Sequence, residues 1–300
     1  MKPDAALHAE RTVPQVTLVI GSGSVKCAAA IGVVKALYEA GIGIDRVVGC
    51  SAGAIFAALV ALRYDAPTAR EMTVRLWTKE LTSQPDRLGL LRAVAPRLFG
   101  FRADNFGLRR DTLLRQRLGA VFGEQRIEDT PLPLHITATD FANGELVDLT
   151  RGRIVDGIRA SLALPLAFAP VRIDGRLLVD GYLADPLPVS VAMKHGSRVI
   201  VAVGFESPYQ ERVSSAGRFA FQLSAILANN LLRSRLAFHS AVHHSELILI
   251  LPEFKQRVRL FETAKVPYII DEGEQATLQQ LPYLLSLLGT DRERAAGAAA

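Results

Sequence analysis

Gly49, Cys50, Ser51, Ala52 and Gly53 spell G-x-S-x-G, the spacing of a sharp strand-to-helix turn that exposes a serine hydroxyl. The two glycines leave room for a strained serine backbone and let strand and helix pack closely. A helix starting at the serine turns its first N–H groups toward negative charge that builds there. Ser51 is therefore a candidate nucleophile for acyl chemistry; its plainer role is an N-cap before an apolar helix. Asp180-Gly181 closes a second apolar run, Leu177 to Val179. A carboxylate at a strand end can take a serine's proton, and Gly181 permits a sharp turn beside it; an Asx-turn is the alternative. Asp174-Gly175 has the same spelling but lies between two short apolar runs, where it reads as a hairpin turn.

Gly21, Ser22, Gly23, Ser24, Val25 and Lys26 form a glycine and serine turn. Such a turn between strand and helix converges backbone N–H groups on an anion. As a dinucleotide fingerprint it fails, because Lys26 stands where the third glycine belongs, and as a P-loop it lacks the G-K-S/T ending. An oxyanion hole for an acyl intermediate, drawn from Ser22, Gly23, Ser24 and Lys26, fits the nearby serine better. A histidine base is not indicated. Only one strand–helix unit precedes Ser51, and His239, His243 and His244 fall on an expected helix. Cys27 and Cys50 are too few for a disulfide framework or a zinc site. Each adjoins a motif position, so the two thiols are either accessible beside the site or small buried residues.

These groups need elements to position them. Val16 to Ile20 reads as a buried strand, Lys26 to Ala40 as a helix stopped at Gly41, and Asp45 to Val48 as a second strand. An apolar helix then runs through Leu62. Strand, helix, strand, helix implies a parallel sheet with helices on its faces. Further on, Pro67 to Lys79 reads as a helix, and Leu134 to Asp140 and Glu145 to Leu149 as strands joined around Asn143-Gly144. Asp156 to Leu162 and Pro188 to His195 read as helices, and Arg198 to Val203 and Leu247 to Leu251 as strands. Ser214 to Ser240 suggests a long helix with a break, and Glu272 to Leu288 a final helix. The expectation is one α/β domain over residues 14–290, with a basic insertion at 82–125 and flexible ends at 1–13 and 291–300.

The chain has 300 residues, of which 49% are hydrophobic and 22% charged, a composition that excludes a disordered chain. Mean hydropathy is +0.21, yet the longest apolar run, Ala54 to Leu62, is far short of the ~20 residues a membrane helix needs. No secretory signal is visible in residues 1–15. A reducing cytoplasm is the expected compartment, with contact at a membrane surface left open. The net charge is +5. Between residues 85 and 120, eight arginines face three aspartates, an excess equal to the charge of the whole chain. From Arg87 to Arg117 these arginines alternate with leucines and phenylalanines. A basic rim on an apolar face suits an anionic bilayer surface; the other reading is a solvated arginine face over core leucines. Nucleic acid is not expected, since no stacking platform accompanies the charge.

In this order the segments resemble the patatin-like phospholipase family. The run Ile31 to Gly41 looks like the helix after that family's glycine loop, and Gly49 to Gly53 matches its elbow. Arg159 to Ser161, Leu164-Pro165, Asp174 to Arg176 and Val179 through Pro188 match the region of its catalytic aspartate. The resemblance implies a three-layer α/β/α sandwich with a mostly parallel sheet. It also implies a Ser–Asp dyad without histidine, hydrolysis of lipid acyl esters, and no metal or cofactor. Ser51 would be the nucleophile and Asp180 its base, supported by Gly49, Gly53 and Gly181. The family loop reads G-G-G-x-R/K-G, whereas this chain keeps only Gly23 and Lys26 of it, and Tyr182 replaces a small residue after Asp180-Gly181. Two other functions stay open: a lipid-binding or regulatory protein with little turnover, and acyl transfer to an acceptor other than water.

Overall fold

A computed structural model describes residues 15–82, 84–206, 209, 213–242 and 246–298. In chain order the elements are β1 (Gln15–Ile20), α1 (Ala29–Glu39), β2 (Gly43–Cys50), α2 (Gly53–Ala61), α3 (Ala66–Leu76), α4 (Arg87–Val94), α5 (Pro96–Phe99) and α6 (Thr112–Phe122). There follow β3 (Leu134–Asp140), β4 (Leu146–Leu149), α7 (Ile154–Ser161), β5 (Val171–Ile173), β6 (Arg176–Asp180) and α8 (Val189–Lys194). The last are β7 (Val199–Val203), α9 (Ala216–Val242), β8 (Glu246–Ile250) and α10 (Val266–Ala298).

The strands form one sheet in the order β5-β6-β3-β2-β1-β7-β8, with β4 also paired to β3. β2, β1, β7 and β8 run parallel to β3 and to one another, while β4, β5 and β6 make antiparallel pairs. Strand alternation divides the core. Leu18 and Ile20 of β1 face one buried cluster, together with residues of α1, α2, α6, α7 and α10. Val19 faces the other, with Val189 and Val191 of α8 and Leu232 of α9. The result is the expected three-layer α/β/α sandwich with a mostly parallel sheet. Every residue of α2 is buried; a helix that is apolar on all sides belongs in the interior.

Both hairpins occur where the turn residues placed them. β3 and β4 join through residues 141–145, with Gly144 at positive φ; β5 and β6 join at Asp174 and Gly175, both at positive φ, the backbone that a two-residue turn demands. The helix expected from Lys26 opens as a 3-10 turn over Ser24–Ala28 before α1 begins. α9 runs from Ala216 to Val242 as one helix, without the expected break. His239 falls on α9, and His243 and His244 lie outside the described residues. α10 is longer than the sequence pattern indicated: the apolar period stops near Leu288, while Arg292, Glu293, Arg294, Ala295 and Ala296 keep helical preference beyond it. Residues 291–298 of the end expected to be flexible are therefore helical, and the other expected end, residues 1–13, lies outside the described residues.

The stretch 82–125 has two parts. α6 buries Leu114, Leu118 and Phe122 and is tied to α7 by Arg159, which donates to Asp111 Oδ2 at 3.0 Å from Nε and 2.7 Å from Nη2. α4 and α5 instead leave Leu88, Leu90, Leu91, Val94, Leu98 and Phe99 exposed, Val94 at 84% and Leu98 at 81%. Pro96 ends one helix and opens the next. Among the described residues, no helix is long and apolar enough to cross a membrane.

Candidate active site

The turn from β2 into α2 holds Ser51 at φ +54°, a left-handed backbone that costs a non-glycine residue on the order of 1–3 kcal/mol. Close packing around it requires the flanking glycines. A Cβ at Gly53 would stand 2.4 Å from the Ile20 carbonyl oxygen, and one at Gly49 2.6 Å from Ala57 Cβ. The Ser51 N–H donates to the Ser161 hydroxyl at 2.8 Å, and that hydroxyl donates to the Thr137 carbonyl at 2.6 Å. The strained turn is thus fixed from α7 and β3 as well as from its own strand.

Asp180 reaches the same point through the sheet. β3 pairs with β2 up to Cys50 opposite Thr137, and with β6 from Asp180 opposite Ala138. β4 occupies the other edge of β3 over Ile136 to Thr139, so the ends of β2 and β6 meet along one edge. The Ser51 hydroxyl donates to Asp180 Oδ2 at 2.8 Å. The Tyr182 N–H donates to Oδ1 at 3.1 Å, and the Thr139 hydroxyl holds the Asp180 carbonyl at 2.8 Å. Gly181 lies against the Thr137 carbonyl, 2.5 Å from where its Cβ would be. Asp180 is 2% exposed, and burial pushes its carboxyl up to about 7 against the smaller opposing pull of the Tyr182 and Ser51 hydrogen bonds. Asp174 is exposed in its hairpin turn at the far end of β6.

The glycine and serine turn adjoins this pair, but its members differ in what they offer. The Ser22 N–H is already taken by the Pro186 carbonyl at 2.8 Å, and the Lys26 N–H by the Gly23 carbonyl at 3.2 Å. The main-chain N–H groups of Ser22 and Lys26 are thus engaged within the fold, and Gly23 and Ser24 stand between them in the turn. Ser24 has φ +56°, and its hydroxyl donates to the Leu260 carbonyl. Gly23 packs where a Cβ would strike the Phe205 ring. Lys26 Nζ donates to the Glu206 carbonyl at 3.3 Å and lies 5.5 Å from the Phe254 ring centre; burial pulls its pKa down.

Ser51 and Asp180 open into a cavity of about 1130 Å³, measured out to solvent. Its walls are mainly apolar, including Leu81, Leu114, Leu162, Phe168, Phe221 and Phe261. Tyr182 lines it too, packed with Cys50 and with Ala228 of α9. Such a site suits an acyl chain beside a reacting ester. Cys27 and Cys50 are fully buried and burial raises both thiols, so they are small core residues, not accessible nucleophiles. Two participants escaped the sequence reading. Ser161 stood in a matched motif without a role. Asp185, buried and pushed up to about 6 by that burial, accepts from the Leu187 N–H at 3.1 Å and steadies the turn that follows the Tyr182 segment.

Comparison with known proteins identifies the chain's relatives. An uncharacterized NTE family protein of Mycobacterium bovis is 33% identical over 190 residues, which cover 63% of this chain and 49% of that one. Human patatin-like phospholipase domain-containing protein 6 is 30% identical over 204 residues, 67% of this chain and 14% of the relative. The chain thus spans about half the length of the mycobacterial relative and a small part of the human one. Among solved structures, VipD from Legionella pneumophila aligns with a TM-score of 0.49 at 15% identity, over 90% of this chain and 67% of that chain. The patatin-like phospholipase family model matches residues 18–193, from within β1 through Ser51 and Asp180 into α8, and the chain belongs to that family.

Proposed function

We propose that the protein is a lipid acyl hydrolase working through Ser51 and Asp180. The observation that carries this reading is the Ser51 hydroxyl donating at 2.8 Å to a buried carboxylate whose affinity for a proton is raised. Asp180 takes the proton as Ser51 Oγ bonds to the ester carbonyl carbon. The Gly23 and Ser24 N–H groups face the oxyanion that forms. Asp180 returns the proton to the alcohol as the ester C–O bond breaks, leaving an acyl-enzyme. Water, losing a proton to Asp180, then attacks the acyl carbon and frees the acid and Ser51. A raised carboxyl suits this alternation, because transfer in both directions is cheapest when donor and acceptor are matched near the working pH.

The unit doing this is a single domain over residues 14–290, with α4 and α5 as its cap. Peripheral binding to anionic lipid is the matching mode of access. The exposed leucines of α4 and α5 favour it over a solvated arginine face covering core leucines. Phe219, Leu223 and Leu227 of α9 are also exposed, while Phe221 and Ala225 of the same helix line the cavity. Hydrolysis of p-nitrophenyl esters and of phospholipid in mixed micelles by wild type and Ser51→Ala tests the reading. Loss of both activities in a folded variant is expected, and retained hydrolysis removes Ser51 from the mechanism.

A further inference from the structure

On the other side of β3 from the shared β2–β6 edge, a second set of side chains converges. β3 and β4 pair with Thr137 opposite Asp148, and strand alternation puts His135 on the same face as Thr137. Ring and carboxylate therefore project together toward α8, whose next residue, His195, completes the group. His135 Nδ1 lies 3.0 Å from each Asp148 oxygen, and His195 Nε2 lies 3.1 Å from Oδ2. The three ligand-capable atoms all fall within 4.8 Å of one another, and the two rings stand 4.3 Å apart between centres. None of these residues lines the Ser51 cavity. His135 is 5% exposed, whereas His195 reaches solvent.

We propose that His135, Asp148 and His195 form a binding site for a divalent transition-metal ion of the zinc type. Zinc held at ~2.0–2.1 Å in a tetrahedral set has its donors ~3.3 Å apart, close to the two nitrogen–oxygen separations here. No two of the three donor atoms lie more than 4.8 Å apart, and the ion closes the set through an outward shift of the carboxylate and an approach of the exposed His195 ring. Two imidazoles and one carboxylate favour zinc, cobalt or nickel over calcium or magnesium, which demand oxygen-rich sets. Arg46 Nη1 donates to the His195 carbonyl at 2.9 Å and so fixes the end of α8 that carries the ring. Without the ion, a ring N–H can donate to the carboxylate. With it, each ring must present a nitrogen lone pair, so the ion competes with protons for the site. Solvent supplies the remaining ligand on the His195 side. The ion joins β3, β4 and the end of α8.

The test uses the full chain, stripped with chelator and titrated by calorimetry with zinc and by absorbance with cobalt. Wild type is expected to take up one equivalent and to melt at higher temperature with zinc present. Asp148→Asn and His195→Ala are each expected to weaken binding at least ~10-fold, the lower end of the loss seen even for outer-shell changes, and to abolish the zinc-dependent melting shift. His195→Ala alters an exposed position and keeps the fold in reach if Asp148→Asn does not. Ester hydrolysis by His195→Ala should match wild type. No saturable uptake by wild type at micromolar free zinc overturns the proposal. Equal affinity in wild type and His195→Ala also overturns it, since the ion then sits on other histidines.

Discussion

Burial of Asp180 makes opposite demands on activity and stability. As a base it must be ionised, so hydrolysis should rise with pH about a midpoint near 7, the value to which burial raises the carboxyl, not near the ~4 of an ordinary carboxylate. A kcat/KM profile from pH 4 to 9 checks this; a plateau already reached at pH 5 contradicts it. For stability, the folded carboxyl binds its proton more tightly than the unfolded one. Its contribution is then fully present below about 4 and lost as pH rises through about 7. Asp180→Asn should therefore lower kcat at least ~100-fold and raise the melting temperature relative to wild type at pH 8, with the gap closing at pH 4. Asp174→Asn, in the exposed turn, should leave kcat within a few-fold; if the two variants exchange behaviour, the wrong Asp-Gly pair carries the proton. The juxtaposition of Ser51 and Asp180 left a mark in the sequence through their glycine neighbours: Gly49 and Gly53 flank the strained turn at Ser51, and Gly181 passes against the Thr137 carbonyl, where a Cβ has no room. Ser161 left none, because its two hydrogen bonds link residues 110 and 24 positions away. Nor could spelling reveal that Pro186 already occupies the Ser22 N–H.

At the level of elements, the two hairpins were legible because positive φ at Gly144, Asp174 and Gly175 limits the residues allowed. The exposure of α4 and α5 was not. Leu88 and Leu91 fall near one face at helical spacing, a pattern that fits a core-facing helix as well as a membrane-facing one, and only the fold shows that they and Leu98 remain uncovered. This surface makes a quantitative prediction. At ~1 kcal/mol per basic residue near an anionic bilayer, changing Arg92, Arg97 and Arg102 to Gln should reduce vesicle partitioning by over ~100-fold at low salt. Sedimentation with phosphatidylserine-containing and neutral vesicles reads this out. Val94→Asp with Leu98→Asp should weaken the same binding without lowering the melting temperature, since both side chains are exposed. Equal binding of all variants, or no preference of wild type for anionic vesicles, returns these helices to a solvated cap.

Across the whole molecule, the alternating elements of the first 62 residues already pointed to a parallel sheet between helices. The cavity was not legible, because its walls come from segments far apart: Leu81, Leu114 and Phe168 on one stretch of chain, Phe221 and Phe261 on another. An apolar cavity of this kind should reward acyl length. At ~0.8 kcal/mol per buried methylene, kcat/KM should climb by up to ~4-fold per carbon from acetyl toward octanoyl p-nitrophenyl esters, and a preference for acetyl would show that the acyl chain binds elsewhere. All of this depends on an activated serine at the strand–helix turn. Labelling the purified chain with a fluorophosphonate, and locating the adduct by mass spectrometry, addresses that point directly. The account predicts one equivalent of phosphonate on Ser51, slowed strongly in Asp180→Asn and absent in Ser51→Ala. No adduct on the folded wild-type chain, or an adduct that persists in Ser51→Ala, would contradict it.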